Sequence, residues 1–275
     1  MTDRNTTGDA DETTEPTAAA TDPDTAAASP RRWWQRALSG VLEFGIIIAG
    51  ALIISVLLRT FVGQMFVIPT GSMENTLVPG DRVMVSKLGG FQRGDIVVFT
   101  DPGGWLVHEK KAPNVVAQAL EFIGVLPSSS EEHLIKRVMG MPGDHVKCCD
   151  AEGRVSVNDV ALHEEEYLYS RDGAQVAPAN VPFDVVVPAD HIFVMGDHRN
   201  SSGDSRCKLT DISQQGPPGA IAFVPVRNVV GSSVAIVAPF DRWRTFTVPE
   251  TFSHIPDPTE PAPAQAKIIG ASPGC

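Results

Sequence analysis

An apolar segment at residues 37–62 constrains this chain more than any other feature. Its uncharged centre, residues 44–58, is 15 residues long, whereas about 20 apolar residues are needed to span a bilayer. Glu43 and Arg59 at the two ends of this centre can extend toward the lipid head groups, so the full segment is long enough. The pattern therefore predicts a single transmembrane helix.

A basic and aromatic collar, RRWWQR at residues 31–36, precedes the apolar segment and is typical of a membrane interface. A buried helix of a soluble protein fits the length but not this collar. A cleavable signal peptide fits badly, because a long acidic tail precedes the segment and no small-x-small site closes it. By the positive-inside rule we expect a single-pass protein of the plasma or inner membrane, with a cytoplasmic N-terminus and everything after residue 63 outside the cytoplasm.

The net charge of −11 belongs mostly to the two ends of the chain. Residues 1–30 contain no Val, Leu or Ile and are predicted to form a disordered cytoplasmic tail. Residues 251–275, which are rich in proline, are predicted to be disordered as well. The region between the tails is nearly neutral and has no basic stripe, which argues against nucleic acid as a partner.

Beyond the anchor the sequence predicts a mainly β fold. Residues 81–87 alternate between apolar and polar side chains, and residues 95–100 (DIVVFT) form a second strand after a glycine turn. Residues 112–126 fit an amphipathic helix, which we interpret as a surface helix covering an edge of the sheet.

Ser72 lies in the stretch VIPTGSMENTL, residues 67–77, shortly after the anchor. Gly71 precedes it in a turn-forming run, so its hydroxyl can be presented with little steric cover. A serine hydroxyl is a poor nucleophile until a base activates it. A suitable base elsewhere in the chain is therefore the second requirement.

Lys136 lies in a second stretch, HLIKRVMGMPGD at residues 133–144. In a strand it points to the same face as Leu134 and Val138, and Arg137 points to the other face. If the first face is buried, desolvation lowers the pKa of the amine and makes it a competent general base. The alternative is an ordinary surface strand with solvated cations, and other lysines are available: Lys87, Lys110, Lys111 and Lys147.

A third stretch, MGDHRNSSGDSR at residues 195–206, is dense in turn formers and hydrogen-bonding groups. A polar loop whose groups satisfy one another explains most of it. The functional interpretation is that the loop supports a site by holding the base in place. Its candidate ion-pair partners are Asp197, Arg199, Asp204 and Arg206.

Together these stretches resemble the bacterial type I signal peptidase family, membrane-bound serine proteases that remove signal peptides from exported proteins. The resemblance covers residues 37–243 and keeps the order of the family's motifs. These motifs read PTGSMENTL, GDRVMVSK, RGDIVVF, IKRVMGMPGD, GDHRNSSGDSR and VPVRNVVGSSVAIVAPF.

The resemblance implies a Ser-Lys dyad in which Ser72 is the nucleophile and Lys136, rather than another lysine, is the general base. It implies an oxyanion hole formed by the Ser72 backbone N–H and the Thr70 hydroxyl, where one donor contributes about 3 kcal/mol. It also implies a supporting set that orients the lysine: Ser202, Asp204 and Arg206.

The same resemblance implies an antiparallel catalytic domain of residues 63–141 and 192–250, with an inserted noncatalytic β domain at 142–191. Secretory preproteins would be the substrates, bound as an added β-strand and cut after small residues of the Ala-x-Ala type. The lipid bilayer would be the other partner. No metal or cofactor is expected, and the protein is expected to be monomeric.

Two positions depart from the family pattern. The proline that is common three residues after the nucleophile is replaced by Asn75. In the motif GDHRNSSGDSR, which we call the late motif, His198 takes the place of the common asparagine. Neither position carries the chemistry, so we interpret both as tolerated variation. Because residue 75 is not lysine, the S-x-x-K arrangement of penicillin-binding proteins does not apply to Ser72.

The cysteines leave their pairing open. Cys148 or Cys149 can bridge to Cys207, which would tie the insertion to the late motif, and the sequence does not choose between them. Cys275 is expected to be unpaired. The spacing suits no familiar zinc ligand set.

Two rival functions remain. Self-cleaving repressors share the Ser-Lys chemistry, but there the catalytic domain follows a DNA-binding module, and here a membrane anchor takes that place. A non-enzymatic membrane-tethered β protein is the other rival. An inactivated relative is expected to lose Ser72 or Lys136, and both are present.

Overall fold

The computed structural model describes residues 30–106, 133–212 and 216–273. It begins with one long helix, α1 (Pro30–Phe61), in which Ala37–Leu58 has a mean hydropathy of 2.6. These 22 residues extend about 33 Å at 1.5 Å per residue, which is enough for a hydrocarbon core of about 30 Å. The predicted disorder of residues 1–29 and the predicted helix at 112–126 lie outside the described residues.

The rest of the described chain is built from short strands. In chain order they are β1 (Gly63–Val67), β2 (Arg82–Ser86), β3 (Ile96–Thr100), β4 (His133–Gly140), β5 (His145–Cys148), β6 (Val155–Val157), β7 (Val160–Ala161), β8 (Ser170–Arg171), β9 (Ala174–Gln175), β10 (Phe183–Val186), β11 (His191–Met195), β12 (Val224–Pro225), β13 (Val229–Ala238), β14 (Arg244–Thr245) and β15 (Lys267–Ala271). Short 3-10 helices span Arg199–Ser201, Ser205–Lys208, Ala220–Ala222, Val226–Asn228, Phe240–Arg242 and Glu250–Phe252.

The larger sheet has eight antiparallel strands in the order β1-β2-β13-β3-β4-β11-β12, with β14 paired to β13. Strand β4 lies inside this sheet, between β3 and β11, so both of its edges are paired. Its side chains from Ile135 onward are buried. A lysine in the middle of such a strand cannot reach bulk water easily, so desolvation disfavours its charged form.

A second sheet of five strands has the order β15-β10-β5-β6-β7, and β8 and β9 form a separate hairpin. One apolar core serves both sheets, because Met139 and Phe193 of the larger sheet belong to the same buried cluster as Val146 and Val185 of the smaller one. Residues 142–191 are thereby packed against the strand that carries Lys136. Their description as a separate inserted domain stays a prediction.

The prediction of a disordered tail at residues 251–275 is wrong for its described part. Strand β15 pairs antiparallel with β10, placing Ile268 opposite Val185, and Ile268 packs against the shared core. The Asn158 side chain also donates a hydrogen bond to the Pro256 carbonyl at 2.8 Å. A five-residue strand after a proline-rich run has weak local signals, and its stability comes from the sheet edge that it covers.

Neither proposed bridge from Cys148 or Cys149 to Cys207 forms. Cys148 is bonded to the adjacent Cys149, and Cys207 is in a disulfide of its own. The expectation for Cys275 lies outside the described residues. The disulfide at 148 and 149 therefore lies at the end of β5 and does not link the smaller sheet to the late motif.

Candidate active site

Ser72 lies in the turn that follows β1. The Glu74 N–H donates to the Gly71 carbonyl at 3.0 Å, and the Leu77 N–H donates to the Met73 carbonyl at 2.7 Å. Met73 and Leu77 are fully buried and fix the turn to the core beneath the sheet. The apolar residues of the stretch thus hold the polar turn in one place, with Ser72 7% exposed.

Lys136 reaches Ser72 from the middle of β4. Its Nζ lies 2.6 Å from Ser72 Oγ and donates to the Ile135 carbonyl at 3.0 Å. The side chain is almost completely buried, and burial lowers the pKa of Lys136 to about 8, although the nearby Asp204 and Asp197 act to raise it. The amine is therefore partly neutral near neutral pH, as a general base must be.

Arg137 points to the opposite face of β4, as strand alternation predicts. It forms a bidentate ion pair with Asp197, with Nε 2.8 Å from Oδ1 and Nη2 2.6 Å from Oδ2. The Thr76 hydroxyl donates to the same carboxylate. Asp197 therefore joins the strand of Lys136, the turn of Ser72 and the late motif through one buried carboxylate.

A second buried ion pair lies beside Lys136. Arg206 donates from Nε and Nη2 to the two carboxylate oxygens of Asp204, both at 2.8 Å, and the Gly196 N–H donates to Asp204 Oδ2 at 2.9 Å. Burial favours the neutral acid, but the Arg206 guanidinium outweighs it and the pKa of Asp204 is lowered. A permanent negative charge is thus kept close to Lys136.

Ser202 lies in the same loop, and its hydroxyl is buried without a hydrogen-bond partner in the described part of the chain. The Ser202 hydroxyl acts to lower the pKa of Asp204, although it does not reach hydrogen-bond geometry with that carboxylate. A Cβ on Gly196 would overlap both the Ser202 hydroxyl and the Ser72 carbonyl oxygen. Only glycine at residue 196 therefore lets the late motif approach Ser72 so closely.

Thr70 is exposed at the outer side of the turn, two residues before Ser72. The structure thus brings Ser72 and Lys136 into direct contact, places Asp204 and Arg206 in one ion pair near them, and leaves Thr70 open to solvent. Among the described residues, no group of three or more His, Cys, Asp or Glu side chains is arranged to hold a metal ion.

The sequence predictions missed two candidates, Glu164 and Tyr167. The Arg137 guanidinium stacks over the Tyr167 ring at 4.1 Å from its centroid, and the Tyr167 hydroxyl donates to Glu164 at 2.6 Å. Glu164 in turn pairs with Arg199, and all of these side chains are buried. The acidic and aromatic run EEEYLY at residues 164–169 was the available signal, but a surface loop explains the same letters.

The sequence comparison decides the family. The model of the family described as "Signal peptidase, peptidase S26" matches residues 41–238, which is more than half of the chain. The chain belongs to this family. It is accordingly a serine endopeptidase of the signal peptidase I type.

Named relatives agree with the family match. The chain is 36% identical over 231 residues to a signal peptidase I from Mycobacterium tuberculosis, covering 74% of this chain and 75% of the relative. It is 31% identical over 194 residues to signal peptidase I P from Bacillus subtilis subsp. natto, covering 68% and 89%. A solved signal peptidase I from Enterococcus faecalis aligns with a TM-score of 0.32 and 20% identity, over 53% of this chain and 98% of that one.

The structure explains why Asn75 takes the place of the proline that is common in signal peptidases. Its φ is +80°, which lies in the left-handed region, whereas the ring of proline fixes φ near −65°. The Asn75 side chain also donates to the Leu168 carbonyl at 3.2 Å. The turn of this signal peptidase therefore follows a path that proline cannot take, and asparagine is among the residues that tolerate it best.

Proposed function

We propose that this signal peptidase cleaves the signal peptides of exported preproteins by a Ser-Lys acyl-enzyme mechanism, with Ser72 as nucleophile and Lys136 as general base. The single observation that supports this assignment most is the 2.6 Å contact between Ser72 Oγ and Lys136 Nζ. The contact is buried, and the pKa of the amine is lowered to about 8. A serine and a neutral amine in this arrangement are sufficient for general-base activation.

In the first step the neutral Lys136 amine accepts the Ser72 proton while Oγ bonds to the carbonyl carbon of the scissile peptide. The Ser72 N–H and the Thr70 hydroxyl donate to the oxyanion that forms. The C–N bond then breaks, and the lysine ammonium passes its proton to the departing amine of the mature protein. In the second step Lys136 accepts a proton from a water molecule as the water oxygen bonds to the ester carbon. The C–Oγ bond then breaks, Lys136 returns that proton to Ser72 Oγ, and the signal peptide is released.

The supporting residues of this mechanism act on the lysine. The buried Asp204 and Arg206 ion pair fixes the loop that carries Ser202. The Asp204 carboxylate also stabilises the ammonium form of Lys136, which exists between the two proton transfers. We assign Ser202, Asp204 and Arg206 to orienting the base rather than to contact with the substrate.

For the substrate, strand β1 offers an edge. It is the terminal strand of the larger sheet and leads within a few residues to Ser72. A preprotein added as a further strand gains main-chain hydrogen bonds there, and small side chains before the cut fit closest to the turn. We therefore propose Ala-x-Ala type cleavage sites.

The position of the enzyme follows from α1. We propose that Ala37–Leu58 crosses the plasma or inner membrane once, with a cytoplasmic N-terminus, and that the enzyme acts as a monomer outside the cytoplasm. A preprotein held in the same bilayer by its own apolar segment then meets Ser72 at a raised effective concentration.

The test is cleavage of a purified preprotein in detergent by Ser72→Ala and Lys136→Ala. Each substitution should lower kcat by at least about 1,000-fold, because removing one member of such a unit removes its function. The matched control is Lys147→Ala, since Lys147 is half-exposed on the smaller sheet and pairs only with Asp184 among the described residues. Wild-type turnover by either dyad variant would refute the assignment.

A further inference from the structure

His198 contacts the backbone on both sides of Ser72. Its own N–H donates to the Ser72 carbonyl at 3.1 Å, and its ring Nδ1 lies 3.2 Å from the Gly71 carbonyl oxygen. These two carbonyls belong to the two peptide units that flank the Ser72 Cα. A side chain and a main-chain group of one residue therefore fix both peptide planes at the nucleophile.

The Gly71 carbonyl matters because of the group that shares its peptide plane. In a planar trans peptide, the C=O of one residue and the N–H of the next point in opposite directions. A donor that holds the Gly71 oxygen therefore fixes the direction of the Ser72 N–H. That N–H is the oxyanion donor of the proposed mechanism, and such a donor helps only when it is aimed at the developing charge.

The neighbours of the ring determine which nitrogen carries a hydrogen. Nδ1 lies 2.9 Å from Glu74 Oε2 as well as 3.2 Å from the Gly71 oxygen. A carbonyl and a carboxylate oxygen can only accept, so Nδ1 must carry the hydrogen and share it between them. The imidazole thus acts here as a donor toward the turn and not as a base.

The ring is also held from one face. Tyr169 stacks on it with the ring centroids 3.8 Å apart, and the His198 side chain is 13% exposed. The Tyr169 N–H donates to the Asp197 carbonyl at 3.1 Å, which ties the stacking partner to the late motif. The imidazole therefore has little freedom to leave the turn.

Glu74 completes the arrangement from inside the turn. Its N–H donates to the Gly71 carbonyl at 3.0 Å, and its carboxylate lies where a side chain on residue 71 would be, 2.7 Å from an added Cβ. Gly71 is thus required for the carboxylate to fold under the turn and meet His198. The carboxylate and the imidazole form one unit around a single peptide bond.

We propose that His198, oriented by Glu74 and Tyr169, is a positioning residue that holds the Gly71 to Ser72 peptide so that the Ser72 N–H points at the oxyanion. This rests on the proposed function, since it takes Ser72 as the nucleophile. It also gives a role to His198, which we interpreted from the sequence as tolerated variation.

The informative substitution is His198→Phe in the full-length enzyme in detergent, with preprotein cleavage as the assay. Phenylalanine keeps the stack on Tyr169 and the backbone N–H but removes the Nδ1 donor. We expect kcat to fall about 10- to 100-fold with KM unchanged, because the lost alignment acts in the transition state. His163→Phe, at an exposed position, is the matched control and should behave as wild type.

A rescue separates donation from packing. The amide nitrogen of asparagine can take the place of Nδ1, so His198→Asn should retain kcat within about threefold of wild type although the aromatic stack is lost. Glu74→Gln keeps the size of the side chain and weakens the hold on the ring, and we expect about a threefold to tenfold loss of kcat. Glu165→Gln, at an exposed position, is its control.

Three outcomes would overturn the proposal: wild-type kcat for His198→Phe, a loss expressed only in KM, or a His198→Asn enzyme as impaired as His198→Phe. Thermal unfolding within about 2 °C of wild type shows that a variant is folded. If His198→Phe does not fold, His198→Asn and Glu74→Gln decide the question by the same kcat and KM criteria. Activity of Ser72→Ala would instead overturn the proposed function, so the two failures are distinguishable.

Discussion

At the scale of single residues, the burial of Lys136 predicts the pH dependence of the proposed reaction. Burial lowers the pKa of the amine from its ordinary value of 10.5 to about 8. Only the neutral amine, which predominates above that pH, can accept the Ser72 proton. We therefore expect kcat/KM to rise about tenfold per pH unit below pH 8 and to level off above it, measured on a short peptide substrate.

The control for this pH profile is Lys147→Ala, whose inflection should stay where it is in the wild type. A profile that is flat from pH 6 to 9, or one that falls through pH 8, would contradict Lys136 as the base.

The sequence singled out Ser72 and Lys136, which the structure places in contact, but it did not predict their surroundings. Ser72 carries a local signal in its turn, and Lys136 became distinct from other lysines only through the resemblance to a family. Glu164 and Tyr167 were missed because their partners Arg137 and Arg199 are distant in sequence, and a run of acidic and aromatic residues has the same appearance on a solvated surface. Long-range pairing of this kind leaves no periodic pattern in the chain.

At the scale of elements, β15 is the strand that departs most from the sequence predictions, because it lies in a segment predicted to be disordered. Strands β2 and β3 were predicted nearly at their observed bounds, because alternating or continuous apolar runs between glycine turns are strong signals. Strand β4 lies within the stretch 133–144 that was considered as a strand. The run KIIGA has the same character but follows a proline-rich segment, and its pairing partner lies far back in the chain.

The two isoleucines of β15 provide a matched test of that pairing. Ile268 packs against the core shared by the two sheets, whereas Ile269 is 66% exposed. Ile268→Asp should lower the free energy of unfolding by about 1–3 kcal/mol, because a carboxylate replaces an apolar contact. Ile269→Asp should change it by less than about 0.5 kcal/mol. Chemical denaturation in detergent measures both, and equal effects would show that β15 does not pair as described.

At the scale of the whole molecule, we expect α1 and the proposed catalytic residues to be separable in function. A chain that begins at residue 62 keeps Ser72 and Lys136 but lacks the apolar helix. We expect it to cleave a short peptide in solution at close to the wild-type rate and to lose most of its rate on preproteins in vesicles, since the shared bilayer no longer concentrates them.

Flotation with lipid vesicles provides the companion measurement. The full chain should float with the vesicles, and the shortened chain should remain in the soluble fraction. Loss of peptide cleavage by a shortened chain that is folded would show that the helix contributes to the site itself.

The buried ion pair of Glu164 with Arg199 also bears on how such a protein can change over generations. Glu164 comes from residues 142–191 and Arg199 from the late motif, and each is about 1% exposed at the side chain. A lineage that exchanged or shortened the first segment alone would leave a guanidinium buried without its carboxylate, at a cost of several kcal/mol. We therefore expect residues 142–191 and the late motif to be inherited together, and a chimera of two such enzymes has to transplant both.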